Sequence, residues 1–373
     1  MIAQWVLPVL LVQCVILVAN LRHWKRRRVP LAVDPTHPVP KVSVLIPVRN
    51  ERHRLPSLVR MLRCQKPAPF EVILCDDGSE DGSAEWLREN LPPYRPGEPF
   101  GWFAAPPKPP DWVGKNWACH QLGSCAQGDW LLFLDADLSL HETSIASMAR
   151  VLAEGEQAQL VTAVPSLHAS SLPVGLLKLM VPFSVFTLLP LAFAEKHPHP
   201  AFGFANGQVM AFPREYYQWV QPHRLVHNAV LEDVQLARTL KKRGDRLCIL
   251  DGRTLFRVSM YDTLSEAVDG FSKNGVAICG SVSSAVVVAL ALLAVYLLPL
   301  LEGLLVGFNV WHGVDYLLSA MLFAASGWMA GLPLWYGALY PLSILIGEFV
   351  LWRSILWYSR GKVLWKGREY RVR

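Results

Sequence analysis

Four short stretches carry residues able to do chemistry together. In "GDWLLFLDADLS" an apolar run, Trp130 to Leu134, ends in Asp135 and Asp137, one residue apart. "FEVILCDDGS" ends the same way, in Asp76 and Asp77, and "KVSVLIPV" runs into Arg49, Asn50 and Glu51. Glu232 and Asp233 open "EDVQLARTLKKRG". An Asp-x-Asp at a strand end suits a divalent ion, because hard cations prefer carboxylate oxygens and Mg²⁺ or Mn²⁺ also accepts phosphate oxygens. Such an ion would bridge the protein to a diphosphate and stabilise it as a leaving group. Asp76 and Asp77 suit the N–H groups of a nucleobase or the hydroxyls of a ribose. They equally suit an Asx-turn with a helix cap. Both hold together if Gly78 and Ser79 turn the chain and Asp77 faces the ligand. No G-x-G-x-x-G occurs here, which argues against a dinucleotide-dependent dehydrogenase.

These side chains need a scaffold that brings them to one place. The apolar runs are short, rich in β-branched residues and separated by helical spacing such as Leu55, Leu58, Val59 and Leu62. Strands alternating with helices predict an α/β fold with a parallel sheet, whose ligands bind at the carboxyl ends of the strands. One strand ending in Asp is explained by capping of the next helix; three on one edge predict a site. Glu232 and Asp233 fall in a first helical turn, where the helix dipole favours the ionised form. That is the state a proton acceptor needs.

Composition adds a membrane. Of 373 residues, 52% are hydrophobic and 18% charged, too apolar for an ordinary soluble chain. Residues 2–21 carry no charge and precede "RHWKRRR". This order is the reverse of a secretory signal and, by the positive-inside rule, places Arg28 in the cytoplasm. The basic run abuts the span, so it is read as a membrane flank and no nucleic acid is expected. Further spans are expected near 283–305, 314–332 and 336–357. Three spans would leave the basic tail outside, so one segment should be re-entrant or paired differently. Residues 172–195, broken by prolines and Lys178, are read as interfacial. The predicted organisation is an anchor and basic flank (1–28), a Pro-rich linker (29–40), a catalytic domain (41–275), a membrane region (276–358) and a basic tail (359–373). The seven cysteines show no C-x-x-C pair and are read as packing residues.

Taken together, "VSVLIPVRNE", "CDDGSEDGS", "GKNWACHQLGSCAQGDWLLFLDAD" and "LEDVQLARTLKKRG" resemble family 2 glycosyltransferases of the GT-A fold, in the family's order and over about 40–245. The resemblance implies a UDP-sugar donor, Mg²⁺ or Mn²⁺, and direct displacement with inversion at the anomeric carbon. It places Pro47, Arg49, Glu51, Asp76, Asp77, Lys115 and Asp135 at the nucleotide sugar. Asp137 becomes the main metal ligand beside Asp135. Asp233 becomes the general base, with Glu232 beside it. "NGQVMAFPREYY", "HRLV", "GFSKN" and "WKGREY" are similar to membrane-bound glycosyltransferases of carotenoid biosynthesis, of staphyloxanthin and hydroxychlorobactene type. On that likeness Asn206, Gly207, Gln208 and His223 would line the donor-sugar or acceptor pocket. Two departures stand out. Gln221-Pro222 replaces the Gly-Gly that usually precedes the His, and the Q-x-x-R-W element of processive synthases is missing. The expected function is transfer of one glucose to a hydroxylated membrane lipid at the inner membrane, from a cytoplasmic catalytic domain of a multi-pass protein. A carotenoid acceptor is favoured. The alternatives are a hopanoid or ceramide, a polyprenyl phosphate, and a non-catalytic membrane scaffold.

Overall fold

The computed structural model describes residues 2–31, 39–154, 158–365 and 368–371. Its main sheet has seven strands: β1 (Val42–Val48), β2 (Glu71–Asp76), β3 (Phe100–Ala104), β4 (Trp130–Leu134), β5 (Leu160–Val164), β6 (Val209–Pro213) and β7 (Leu247–Asp251). The helices used below are α1 (Ile2–Arg26), α2 (Leu55–Arg63), α3 (Ser83–Asn90), α4 (Gly114–Cys125), α5 (Ser144–Glu154), α6 (Leu172–Leu188), α7 (Glu232–Lys242) and α8 (Leu264–Cys279). After them come α9 (Val282–Val306), α10 (Val310–Met329) and α11 (Tyr340–Ser359).

The chain divides into two compact units: Trp24–Ser166 with Phe193–Val258, and Met1–His23 with Leu167–Ala192 and Ser259–Arg373. The first is the catalytic unit. Its boundary falls short of the expected 275, because α8 is counted with the membrane helices.

In the catalytic unit the strand order is β3-β2-β1-β4-β6-β5-β7. Strands β1, β2, β3 and β4 run parallel, as do β5 and β7, while β6 runs antiparallel to both β4 and β5. Alternation of strands and helices predicts a parallel sheet; the sheet is mixed, as the GT-A resemblance implies. Strands β1, β2 and β4 are buried on both faces, which is why they read as unbroken apolar runs rather than alternating ones. Leu45, Ile73, Leu131, Phe133, Met210 and Phe212 project to one face. There they pack against Ala118 and Leu122 of α4 and Leu236, Ala237 and Leu240 of α7. Burial of that face in one continuous cluster fixes the register: a one-residue slip would turn every one of these side chains over.

The expected linker begins inside the fold. Val29 N donates to Asp251 O (3.1 Å) and Asp251 N to Arg27 O (2.9 Å), so the chain after α1 adds to the edge of β7. Arg27 also pairs with Glu195 at 2.6 Å. Residues 32–38 of that linker lie outside the described residues.

Gln221 adopts φ 51° and ψ 62° between two short helices, Arg214–Val220 and Pro222–Leu225. Left-handed backbone strains any residue with a Cβ. Gln221→Gly should therefore leave the fold intact and raise unfolding stability by about 0.5 kcal/mol, since relief of strain exceeds the added chain entropy. A thermal melt of the purified variant checks the sign.

In the membrane unit, among the described residues, three helices are long and apolar enough to cross a bilayer: Ile2–Arg26, Val282–Val306 and Leu334–Ser359. The expected span at 314–332 is a helix, α10, but it is not among them. Its buried stripe carries His312, Asp315, Ser319 and Ser326, which lowers its hydropathy and turns polar groups inward. α6, at 17 residues, is too short for a full span. The start of α9 (Ala285, Ala289) and the end of α11 (Leu351, Ile355) share one apolar cluster. α9 and α11 are therefore antiparallel. Some polar groups inside this unit find partners across long stretches of sequence. Glu302 accepts from Ile2 N (2.9 Å) and Ala3 N (3.3 Å), capping α1, and Tyr296 Oη donates to Gln13 at 2.6 Å.

Candidate active site

The site lies at the carboxyl edge of β1, β2 and β4. Asp77 N donates to Val48 O (2.9 Å), so β1 and β2 end level with one another. Their loops are then laced by side chains: Asn50 N donates to Ser79 Oγ (2.9 Å), Glu80 N to Asn50 Oδ1 (2.9 Å) and Glu51 N to Ser83 Oγ (3.0 Å). Asn50 takes φ 53°, a left-handed turn that asparagine tolerates better than most. Pro47 sits on β1 opposite Cys75.

The two acids after β2 divide their work. Asp76 accepts from Gly78 N, Ser79 N (both 3.2 Å) and Ser79 Oγ (2.5 Å), so it is the turn-former rather than a ligand group. Asp77 faces Arg49, whose Nη1 donates to the Asp77 carbonyl at 2.9 Å and stands 3.7 Å from its carboxylate. Burial pushes the Asp77 carboxyl up to about 6, against the pull of Arg49. Arg49 and Asp77 form a recessed polar pair.

Lys115 is the hub. It lies in the first turn of α4, and its Nζ meets Asp135 Oδ1 at 2.8 Å and Glu232 Oε1 at 2.7 Å. One ammonium thus joins the end of β4 to the start of α7. Burial works against its charge, but Asp135 and Glu232 prevail and hold it well above the ordinary lysine range. The next residue, Asn116, is fully buried and donates to Val226 O (2.7 Å), His227 O (3.2 Å) and Ala229 O (3.0 Å). It anchors the loop that leads to Glu232 and Asp233. Sequence reading singled out Lys115 but passed over Asn116, because its partners stand more than 100 residues away.

Asp233 is aimed by backbone groups. Gly207 N donates to its Oδ2 (2.9 Å) and Val234 N to its Oδ1 (2.8 Å). Burial, then the charge of Glu232, raises it to about 6, with Lys115 opposing. The Gly207 turn is itself pinned, since Asn206 N donates to Thr162 Oγ1 (2.9 Å) and Thr162 Oγ1 to Asn206 O (3.1 Å). A Cβ on residue 207 would stand 2.9 Å from Asp233 Oδ2 and 3.1 Å from its Cβ. Gly207→Ala should therefore displace the carboxylate by a few tenths of an ångström and lower kcat roughly 10- to 100-fold. The melting temperature should change little. Steady-state kinetics beside a melt of the same sample check this.

Asp137 follows β4 in the turn to a short strand, Leu138–Leu140. Its Oδ1 is buried with no hydrogen-bond partner. Burial first, then the charge of Asp135, raises its carboxyl to about 7. Asp135 is likewise raised by burial despite Lys115, with Glu232 and Glu51 adding to it. A buried, unpartnered carboxylate oxygen beside a second carboxylate is what a divalent cation would satisfy. Among the described residues no group of three or more His, Cys, Asp or Glu side chains forms a metal cage. The residues present fit a cation bound by one or two carboxylates and completed by phosphate oxygens and water, as Mg²⁺ prefers.

The structure does not bring His223 to an open pocket. Its ring is fully buried against Phe133 and Phe212, and its Nδ1 lies 2.7 Å from Tyr217 Oη. Burial drives its pKa down to about 3, so the imidazole is neutral and packs as an aromatic core residue.

A mixed sheet of this order, with acidic turns after β2 and β4, has the fold called GT-A. A mannosyltransferase from Pyrobaculum calidifontis, solved with GDP-Man and Mn²⁺, shares the fold. Its TM-score is 0.54 at 15% identity, covering 95% of this chain and 98% of that one. Residues 43–166 match the model of Glycosyl transferase family 2. A 4,4'-diaponeurosporenoate glycosyltransferase of Staphylococcus haemolyticus is 26% identical over 246 residues, 62% of this chain and 60% of the relative. An undecaprenyl-phosphate 4-deoxy-4-formamido-L-arabinose transferase of Serratia proteamaculans is 33% identical over 130 residues, 32% of this chain and 35% of the relative. The matched region thus spans 60% or less of the length of these two curated relatives.

Proposed function

We propose that this protein is an inverting, metal-dependent glycosyltransferase that moves one glucose from UDP-glucose to the hydroxyl of a membrane lipid, a carotenoid above the alternatives. The observation that carries the reading is the junction at Lys115. It ties the Asp135–Asp137 turn, suited to a metal diphosphate, to the α7 turn bearing a raised, backbone-aimed Asp233.

Arg49 and Asp77 hold the base. Asp135 and Asp137 hold Mg²⁺ or Mn²⁺, which when bound neutralises charge on the departing diphosphate. Lys115 lies close enough to give its charge to the same phosphates once they arrive. Asp233 takes the proton of the acceptor hydroxyl as its oxygen forms the new bond to the anomeric carbon. The bond from that carbon to the diphosphate breaks on the opposite face, with UDP leaving, so configuration inverts.

Three apolar helices support a membrane protein, with one span before the catalytic unit's main sheet and two after it. With two C-terminal spans rather than three, the basic tail and the basic flank of α1 would share one side, which the positive-inside rule makes the cytoplasm. A lipid hydroxyl at the bilayer surface is within the reach of such a protein, and the name of the staphylococcal relative favours a carotenoid. The Serratia relative supports the polyprenyl-phosphate alternative. Membranes containing the protein, incubated with labelled UDP-glucose, Mn²⁺ and extracted lipids, should yield a labelled glycolipid. No product from any donor and acceptor tried would favour the scaffold reading.

A further inference from the structure

We propose that Gln208 reads the hydroxyls of the transferred sugar and sets which donor is accepted; this rests on the glycosyltransfer reading above. The residue stands between the two ends of the reaction. Its carbonyl accepts from Asp135 N at 3.0 Å, and its neighbour Gly207 donates to the proposed base Asp233 at 2.9 Å. In a direct displacement the sugar ring must lie between the departing phosphate and the base, which is the interval Gln208 spans.

Its side chain is on the correct face. β4 and β6 pair with Leu134 opposite Val209, so the next pair outward is Asp135 and Gln208. Leu131 and Phe133 on β4, and Met210 and Phe212 on β6, share the cluster that faces α4 and α7. The two-residue period puts Asp135 and Gln208 on that same face. Lys115 and Glu232 arrive from those helices. The nucleoside pair, Arg49 and Asp77, follows β1 and β2, on the far side of β4 from β6.

The side chain is also committed to nothing else. Gln208 is 7% exposed, and both Nε2 and Oε1 are buried without a hydrogen-bond partner. Its backbone is held in place, with its N–H donating to Asn206 Oδ1 at 3.0 Å. A primary amide offers a donor and an acceptor together, which matches a hydroxyl or a neighbouring pair of them. It does so without adding negative charge beside Asp135 and Asp137. A site built on such bonds rejects analogues that lack the hydroxyl, because its own buried polar atoms are then left unpaired.

The test uses full-length protein in lipid nanodiscs with Mn²⁺. UDP, GDP and dTDP, each alone and as its glucose conjugate, are titrated calorimetrically into wild type and Gln208→Leu. The nucleoside diphosphate that binds should do so equally in both, which also reports that the site is folded. Its glucose conjugate should bind the leucine variant roughly 10- to 100-fold more weakly. Monodeoxyglucose donors should be discriminated by wild type and not by the leucine variant. Equal weakening of the bare diphosphate, or unchanged affinity for the glucose conjugate and its deoxy analogues, would overturn the assignment. Failure of wild type to bind any of the diphosphates would instead remove the glycosyltransfer reading and this assignment with it.

Discussion

Asp233→Asn should lower kcat about 1,000-fold, within the range a general base contributes, while nucleotide affinity stays unchanged. The amide keeps the shape and its oxygen still accepts from Gly207 N, while the bond from Val234 N is lost because the amide nitrogen cannot accept. It also loses the ability to hold a proton. The pH profile carries the sharper signature. Burial and Glu232 raise Asp233 to about 6 in the ligand-free protein. A base must be ionised to act, so kcat should fall as pH drops through that region and level off above it. In the asparagine variant this acid limb should vanish, leaving a low rate that is flat over the same window. Turnover that survives Asp233→Asn would favour the polyprenyl-phosphate alternative instead, because a phosphate oxygen is already ionised and needs no base.

The second large effect is expected at Asp137. Asp137→Ala should abolish Mn²⁺ binding in the presence of UDP, read by the electron paramagnetic resonance of the ion, and reduce transfer at least 1,000-fold. The same change should raise the melting temperature of the metal-free protein. A carboxylate whose Oδ1 is buried without a partner destabilises the fold by about 1 to 3 kcal/mol. Removing it should return part of that, about 2 °C or more in a unit of this size. Gain of stability with loss of metal is a combination that ordinary core disruption does not produce. If Asp137→Ala keeps metal-dependent transfer, the cation is held elsewhere.

Both predictions combine residues that the sequence displays with an arrangement it does not. The strands were legible because β1, β2 and β4 are buried on both faces and therefore appear as short, mainly apolar runs. Their acidic ends were legible as the charges at which those runs stop, although Asp76 and Asp77 are themselves buried. The acidic start of α7 was visible as a first-turn pattern, and α1 as an uncharged stretch of bilayer length. Each of these is a local property, decided by residues within a few positions of one another.

What depended on the tertiary structure is every statement about company. Asp76 and Asp77 are chemically alike, and only the structure shows that Asp76 is taken up by turn bonds to Gly78 and Ser79 while Asp77 meets Arg49. His223 lies in a promising motif but is sealed by Phe133 and Phe212, from strands 90 residues before it and 11 before it (223 − 133 = 90; 223 − 212 = 11). β6 carries no mark of its antiparallel direction, yet that direction sets Gln208 beside Asp135. α10 matched a span in length, and its inward polar stripe shows only once its neighbours are placed. The sequence alone determined which residues could act and that a membrane was involved, because apolar runs and charges report their own solvation. Packing decided which of those residues meet, because a contact between distant segments follows from the whole sheet order and from no single stretch.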